Sequence, residues 1–184
     1  MKKRLTRMHG FGLIEVLIAL LLVAVSLTLA VPTLNAVLRR VSLNSGVEAL
    51  RTSLFLARTE AVRRNSLVVV CPTENGRECS QAGMWERGWL VFHDKNRNVQ
   101  ADVDDDVLYR GSGLDPSLRI RGNVTVAHYV AYTPLGRTVL ANGGFQAGTI
   151  TVCHTSANPA QAVELVINSV GRVRVANAVL SQCV

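Results

Sequence analysis

The N-terminal stretch "MKKRLTRMHGFGLIEVLIALLLVAVSLTLAVPTL" constrains this chain most, because it places a long apolar run directly behind a basic head. Residues 16–34 are nineteen positions without a charged side chain. A helix of that length can cross a bilayer. Glu15 stands at the front of the run, where a carboxylate in hydrocarbon costs roughly 2.5–3.5 kcal/mol. Because this cost is high, we expect Glu15 to have a function that offsets it.

Beyond Pro32 the pattern of apolar residues predicts an amphipathic helix. Apolar residues recur at spacings of three and four, which is the period of one helix face. They are Leu43, Val47, Leu50, Leu54, Ala57 and Ala61. We therefore predict one continuous helix from about Phe11 to Arg64. Its first half has no globular domain packed on it, and its second half packs on a globular domain. Pro32 and Gly46 are the positions where this helix is expected to kink or loosen.

After the helix, the sequence changes to short runs rich in β-branched residues and bounded by Gly, Pro or Asn. The runs lie at 67–72, 88–94, 123–132, 148–153, 162–169 and 171–176. A helix followed by a series of strands predicts an α+β fold, with antiparallel sheets packed on the amphipathic half of the helix.

All four cysteines follow the apolar run. If the run is a membrane segment, the basic head stays in the cytoplasm and the cysteines are exported. Exported cysteines indicate two disulfides, for which three connectivities exist. Proximity in sequence favours Cys71 with Cys79 and Cys153 with Cys183, and free buried thiols are the alternative. No Cys-x-x-Cys pair indicates zinc.

The sequence contains no pattern that predicts a metal site or an active site. The loop "HDKNRNVQADVDDD" has oxygen-bearing side chains at spacings similar to those of a calcium loop. Val99 occupies the position where such a loop needs glycine, so we predict a solvated hairpin loop and no metal. No nucleophile motif, phosphate loop or pair of catalytic carboxylates is apparent, and we expect neither enzymatic activity nor a cofactor. Trp85 and Trp89 lie beside an apolar strand, which favours core packing over base stacking.

Alternating arginines near the C-terminus are the best candidate for binding chemistry. In "SVGRVRV", Gly171 suits a tight turn, and Arg172 and Arg174 share one face of the strand that follows. Two such guanidinium groups lie about 7 Å apart, close to the phosphate spacing along one DNA strand. The alternative is an arginine-rich solvent face. Secondary candidates are Arg119, Arg121 and Arg137. The formal net charge of +7 is weaker evidence for an acidic partner, because the first ten residues carry four of those charges.

The motif "GFGLIEVLIA" at residues 10–19 resembles the class III signal of type IV pilins and type II secretion pseudopilins. The resemblance implies that a prepilin peptidase cleaves between Gly10 and Phe11 and methylates the new N-terminus of Phe11. It also implies that Glu15 offsets the methylated ammonium of a neighbouring subunit during assembly, as a buried ion pair completed only in the filament. Gly12 departs from the usual threonine.

This resemblance implies a domain organisation. Residues 1–10 form the leader peptide and 11–36 the transmembrane and filament-core helix. Residues 37–184 form a periplasmic domain, made of an amphipathic helix at 37–65 and a β-domain at 66–184. The protein is then expected in the inner membrane with a single pass, and afterwards in the pilus at the cell surface.

The wider pattern resembles the GspH/FimT family and, within it, minor pilins of the FimT/FimU type. The matching pieces are "ARTEAVRRNSLVVVCP", then "W-x-x-GWLVF-x-D-x-N-x-N" at 85–98, "TPLGR" and "INSVGRVRV". This resemblance implies a two-sheet β-domain and a structural subunit that primes or supports filament assembly with the major pilin and other minor pilins. In FimT-type proteins a Gly-Arg-x-Arg motif, matched by Gly171, Arg172 and Arg174, is linked to sequence-independent DNA binding in natural transformation. The alternative is a type II secretion pseudopilin with no DNA role.

Overall fold

The structure, a computed structural model, describes residues 12–155 and 160–183. The chain divides into two units, of which the first ends at Arg40 and the second begins at Val41. Helix α1 (Leu13–Arg64) contributes to both and confirms the long helix predicted from the sequence. The expected first residue of that helix, Phe11, lies outside the described residues.

In the first unit, every described side chain of α1 is exposed to solvent. Within the described residues, no helix is at once long enough and apolar enough to cross a membrane. The transmembrane segment expected at 11–36 therefore stays a prediction.

The second unit contains two four-stranded antiparallel sheets, which confirms the expected α+β class. The described strands are β1 (Leu67–Pro72), β2 (Trp89–Asp94), β3 (Asp106–Gly111), β4 (Leu118–Gly122), β5 (Val130–Tyr132), β6 (Gly148–His154), β7 (Ala160–Ile167) and β8 (Val173–Leu180). Sheet A has the order β3-β2-β1-β5 and sheet B the order β4-β6-β7-β8. The strand predicted at 123–132 was wrong over most of its length, because only its last three residues are extended. The predicted runs also missed β3 and β4.

The amphipathic half of α1 supplies the core of the second unit. All six residues of the predicted face are buried, together with the inward side chains of both sheets. Ser42 on α1 donates a hydrogen bond to Asp115 at 2.7 Å. Hydrogen bonds from Ser117 and from Ser42 lower the pKa of Asp115 to about 2. The packed half of the helix is thus held both by apolar burial and by a polar contact where it begins.

The two sheets differ in how their outer faces are covered. The outer face of sheet A forms a second apolar cluster, which includes Leu67, Val69 and Phe92 and is covered by Val99 and Val139. Because the side chains on both faces of β1 are buried, its sequence is an uninterrupted apolar run. In sheet B, by contrast, the outer face carries exposed polar residues, and three of the candidate arginines, Arg119, Arg121 and Arg174, lie on its strands.

Both tryptophans are buried, as predicted. The indole N–H of Trp85 donates to the Ala127 carbonyl oxygen at 3.0 Å. The indole N–H of Trp89 donates to the Ser53 hydroxyl at 2.8 Å. With their ring faces in the core, neither is available to stack on a base.

The acidic loop closes on the carboxylate of Asp94. That carboxylate accepts backbone N–H groups from Arg97 at 2.7 Å, Asn98 at 3.3 Å and Val99 at 2.9 Å. Val99 has a φ of 57° and a buried side chain. Val99 thus adopts the left-handed conformation for which glycine was expected at this position. These hydrogen bonds and its apolar contacts hold it in that conformation. In the described part of the chain no group of three or more His, Cys, Asp or Glu side chains is placed to hold a metal ion.

Two disulfides join Cys71 to Cys79 and Cys153 to Cys183. These are the pairings that proximity in sequence favoured. Cys153 lies near the end of β6, so the second bridge attaches the segment after β8 to an inner strand of sheet B.

Removing the second disulfide is expected to destabilise the protein more than removing the first. The bridges span 30 and 8 residues. Loop-closure entropy then predicts losses of about 3.6 kcal/mol for Cys153→Ala/Cys183→Ala and about 2.5 kcal/mol for Cys71→Ala/Cys79→Ala. Urea denaturation of the full chain in detergent measures both. A reversed order would show that local packing, and not loop length, sets the contribution of each bridge.

Candidate nucleic-acid interface

The Gly-Arg-x-Arg segment forms the tight turn between β7 and β8. The Gly171 N–H donates to the Asn168 carbonyl oxygen at 2.8 Å, and Gly171 has a φ of 76°. The Arg172 N–H donates to the Asn168 side-chain oxygen at 2.9 Å, and the Asn168 N–H donates to the Arg172 carbonyl oxygen at 3.1 Å. Glycine is required because this left-handed conformation is strained for other residues. The turn therefore fixes the backbone from which both arginines extend.

A second Gly-Arg turn, at residues 133–137, packs against the first. A Cβ atom on Gly171 would collide with the carbonyl oxygen of Gly136. The Thr138 N–H donates to the Ser169 carbonyl oxygen at 3.3 Å, across the contact between the two turns. The structure therefore brings Arg137 to the same end of the domain as Arg172.

Arg58 of α1 supports this pair of turns. Its guanidinium donates to the Val170 carbonyl oxygen at 3.2 Å, and a Cβ on Gly136 would lie 3.1 Å from its Nε. Sequence reasoning missed this role, because Arg58 is one of several arginines on the polar side of the helix. The helix, the first turn and the second turn are thus connected through one side chain.

The three arginines on and beside the two turns are exposed and form no ion pair with a described carboxylate. Arg174 pairs with Val166 of β7 across the outer face of sheet B, and Arg172 lies just before β8. In the described part of the chain, no carboxylate lies within 4.0 Å of Arg137, Arg172 or Arg174. The three guanidinium groups are therefore available to an external anion, and their planar donor groups suit phosphate.

Arg119 and Arg121 belong to a different site. They lie on β4, at the opposite edge of sheet B from β8, three strand spacings or about 14 Å away. Arg119 contacts Glu86 at 3.3 Å, and Arg121 donates a short hydrogen bond to the same carboxylate. The structure does not join these two secondary candidates to Arg172 and Arg174, and their charge is partly neutralised.

Glu86 is the residue that distinguishes the two groups of arginines. It is only 9% exposed and also accepts the backbone N–H of Ile120 at 3.2 Å. Burial acts to raise the pKa of Glu86, but the hydrogen bond and charge of Arg121 and the Ile120 N–H outweigh it and hold the pKa below its usual 4.5. Sequence reasoning missed Glu86, because a lone carboxylate between two tryptophans carries no recognisable pattern.

Of the residues expected in processing and assembly, the structure describes Glu15. It lies exposed in the first turn of α1, where the helix dipole favours a negative charge. Gly10 and Phe11 lie outside the described residues.

The chain matches two family models. Residues 46–171 match the model described as type II transport protein GspH, and residues 5–31 match the prokaryotic N-terminal methylation motif. The methylation motif, followed by a long helix on a two-sheet domain, defines a type IV pilin-like protein that is anchored in the membrane. The GspH model covers more than half of the chain, so the chain belongs to the GspH/FimT family of pilin-like proteins. Proteins of this family are structural subunits that are processed by a prepilin peptidase and assemble with other pilins.

Relatives and solved structures are consistent with this assignment. The chain is 31% identical over 148 residues to the pilin-like protein PilA1 of Thermus thermophilus, across 74% of this chain and 88% of that protein. Its fold is similar to the type IV minor pilin FimU of Pseudomonas aeruginosa in two crystal forms. The TM-scores are 0.59 and 0.56, at 17% and 16% identity. The matches cover 79% and 77% of this chain and 97% and 99% of FimU.

Proposed function

We propose that this protein is a minor pilin of a type IV pilus that primes or supports filament assembly. The observation that carries the proposal is the methylation motif at residues 5–31, followed by a 52-residue helix whose apolar side chains are exposed at 13–26 and 34–38. Exposed apolar side chains on a helix need a lipid or protein partner. In this proposal the prepilin peptidase cleaves between Gly10 and Phe11, and the chain crosses the inner membrane once. Glu15 then pairs with the methylated N-terminus of a neighbouring pilin. The chain has no enzymatic activity of its own.

The second part of the proposal is sequence-independent DNA binding through Arg172 and Arg174, with Arg137 beside them. Support comes from their exposure, from the absence of a neutralising carboxylate among the described residues, and from the rigid turn that carries them. Two or three phosphate contacts give weak binding that depends steeply on salt. A pilus with few copies of such a subunit would depend on avidity to hold DNA.

The double variant Arg172→Gln/Arg174→Gln tests this part directly. We expect the slope of log K against log salt to fall in magnitude by about 2, because each lost cation removes roughly one released counterion. Fluorescence anisotropy with the full chain in detergent micelles, titrated with labelled DNA at several salt concentrations, measures the slope.

The matched control is Arg77→Gln/Arg87→Gln. It removes the same charge from two exposed arginines that have no ion pair among the described residues. It is expected to leave the slope nearly unchanged. Equal effects of the two double variants would assign DNA binding to net charge and remove the site. No DNA binding by the wild-type chain would leave the assembly role alone.

A type II secretion pseudopilin is the second candidate, favoured by the match to the GspH model over residues 46–171. Such a subunit needs the same processing and the same helix, but no affinity for DNA. Deletion of the gene separates the two candidates. Loss of twitching and transformation supports the pilus, and loss of secreted enzymes supports the secretion system.

A further inference from the structure

A groove lies directly beside the two Gly-Arg turns. It has a volume of about 530 Å³ and is bounded by the hairpin at 139–145, by the turn at 133–138, and by Ser169 and Val170. This volume is within the range of about 300–1,000 Å³ that is usual for small-ligand sites. The groove is therefore large enough for one flat organic group and too small for a duplex.

The apolar side chains along the groove are unusually exposed. Phe145 is 77% exposed, Leu135 81% and Val170 44%. Large apolar side chains clustered on a surface commonly mark a contact site. Phe145 is the aromatic member of this cluster and provides a flat face.

The backbone beneath Phe145 is firmly held. The next residue, Gln146, is fully buried. Its side-chain amide donates to the carbonyl oxygens of Thr125 at 2.8 Å and Tyr129 at 2.9 Å and accepts the Ala131 N–H at 3.1 Å. Because this backbone is already ordered, contact with a ligand costs mainly the rotamer freedom of the Phe145 side chain.

The charge around the groove selects the kind of ligand. None of the residues that line it is acidic, and Arg137 is the one cation among them. Arg172 follows Val170 and Gly171 on the adjacent turn, and neither arginine has a carboxylate partner among the described residues. An aromatic face flanked by unpaired guanidinium groups matches a base attached to a phosphate backbone.

We infer that this groove receives an unpaired nucleobase, stacked on Phe145, while Arg137 and Arg172 hold the flanking phosphates. The inference rests on the proposed DNA binding and specifies its substrate as single-stranded DNA or an unpaired end. Within a duplex, each base is covered on both faces by its neighbours, so Phe145 gains a partner only where pairing and stacking are interrupted.

The test compares three labelled oligonucleotides of equal length: a single strand, a duplex, and a single strand in which abasic sites replace the bases. Each is titrated by anisotropy against the full chain in detergent micelles. The wild-type chain is expected to bind the single strand most tightly. Phe145→Ala is expected to weaken single-strand binding by roughly tenfold, through loss of one stacked base. Binding to the duplex and to the abasic strand should change little.

Two variants complete the test. Phe145→Trp preserves an aromatic face and should retain the preference for the single strand. Phe55→Ala removes an exposed phenylalanine from α1 and is the matched control, expected to leave binding to all three oligonucleotides unchanged. Thermal melts of each variant establish that it is folded, which the exposure of both phenylalanines favours.

The outcomes distinguish this inference from the proposed function. If the single strand and the duplex bind equally, or Phe145→Ala binds the single strand normally, the groove does not receive a base, although DNA binding by the arginines stands. If no oligonucleotide binds, this inference and the proposed DNA binding both fail, and only the assembly role stands. If Phe145→Ala blocks incorporation into the filament without changing DNA affinity, the groove is a protein contact and the inference is overturned.

Discussion

Replacing Gly171 with alanine is expected to lower the free energy of unfolding by about 2–4 kcal/mol, because it combines backbone strain with a collision. The φ of 76° is unfavourable for a residue with a Cβ. The new methyl would also overlap the Gly136 carbonyl oxygen and approach the Tyr132 ring to 3.2 Å. Neither neighbour is a flexible side-chain end, so relief requires that the two turns move apart.

Gly143→Ala is the matched control for this substitution. Gly143 has a similar φ of 83°, but a Cβ built on it has no neighbour within 4 Å. It should therefore show the strain alone, about 1 kcal/mol. Urea denaturation of both variants in detergent gives the comparison. Equal losses in the two variants would mean that the contact between the Gly-Arg turns contributes nothing to stability.

The same substitution relates stability to the proposed interface. Separation of the turns would move Arg172 away from Arg137, although neither charge is removed. We expect Gly171→Ala to weaken DNA binding under conditions in which the protein is still folded. For DNA binding the control is Gly76→Ala, which has a similar φ of 70° but lies in the loop after β1 and outside the groove, and it should not weaken binding.

Local patterns in the sequence predicted the local structure well. The spacing from Leu43 to Ala61 identified the buried face of α1, because helix periodicity follows from one short-range geometry. Gly171 was identified as a turn residue because its left-handed conformation favours glycine. The disulfide pairing followed from proximity in sequence.

Features that depend on distant partners were not predictable in this way. Strand β3 was missed because it begins at the last of three consecutive aspartates and lies partly exposed at the edge of sheet A. Residues 123–129 have a strand-like composition but form turns. There the Thr125 hydroxyl donates to the Ala147 carbonyl oxygen at 2.5 Å, and a Cβ on Gly122 would collide with the Val126 backbone. Tertiary contacts therefore override β propensity in this segment.

The arginine pairs show the same limit at the candidate site. "RIR" at 119–121 and "RVR" at 172–174 have the same alternation. Their environments differ because Glu86, far away in sequence, pairs with the first and not with the second. Phe145 was likewise missed, since an aromatic residue after "NGG" has no periodic pattern, and its exposure is set by the hairpin that carries it.

Replacing Glu86 with alanine is expected to destabilise the second unit by about 2 kcal/mol, since a buried backbone donor loses its partner while the partly exposed guanidinium groups that remain can be rehydrated. The Ile120 N–H would lose its acceptor, and Arg119 and Arg121 would repel each other on β4. Glu86→Gln should cost less, because the amide oxygen can still accept from Ile120. The control is Glu48→Ala, which removes an exposed ion pair with Arg51 and should change stability by about 0.5 kcal/mol or less.

The pH dependence of these variants separates charge from packing. The folded-state pKa of Glu86 lies below its unfolded value of 4.5. Its charge therefore stabilises the fold fully above pH 4.5, and that stabilisation is lost as the pH falls through the folded-state pKa. The difference in stability between wild type and Glu86→Gln should shrink over this interval in urea titrations at successive pH values. A difference that stays constant across the interval would show that the charge of Glu86 adds no net stability and that Glu86 acts through shape and hydrogen bonding alone.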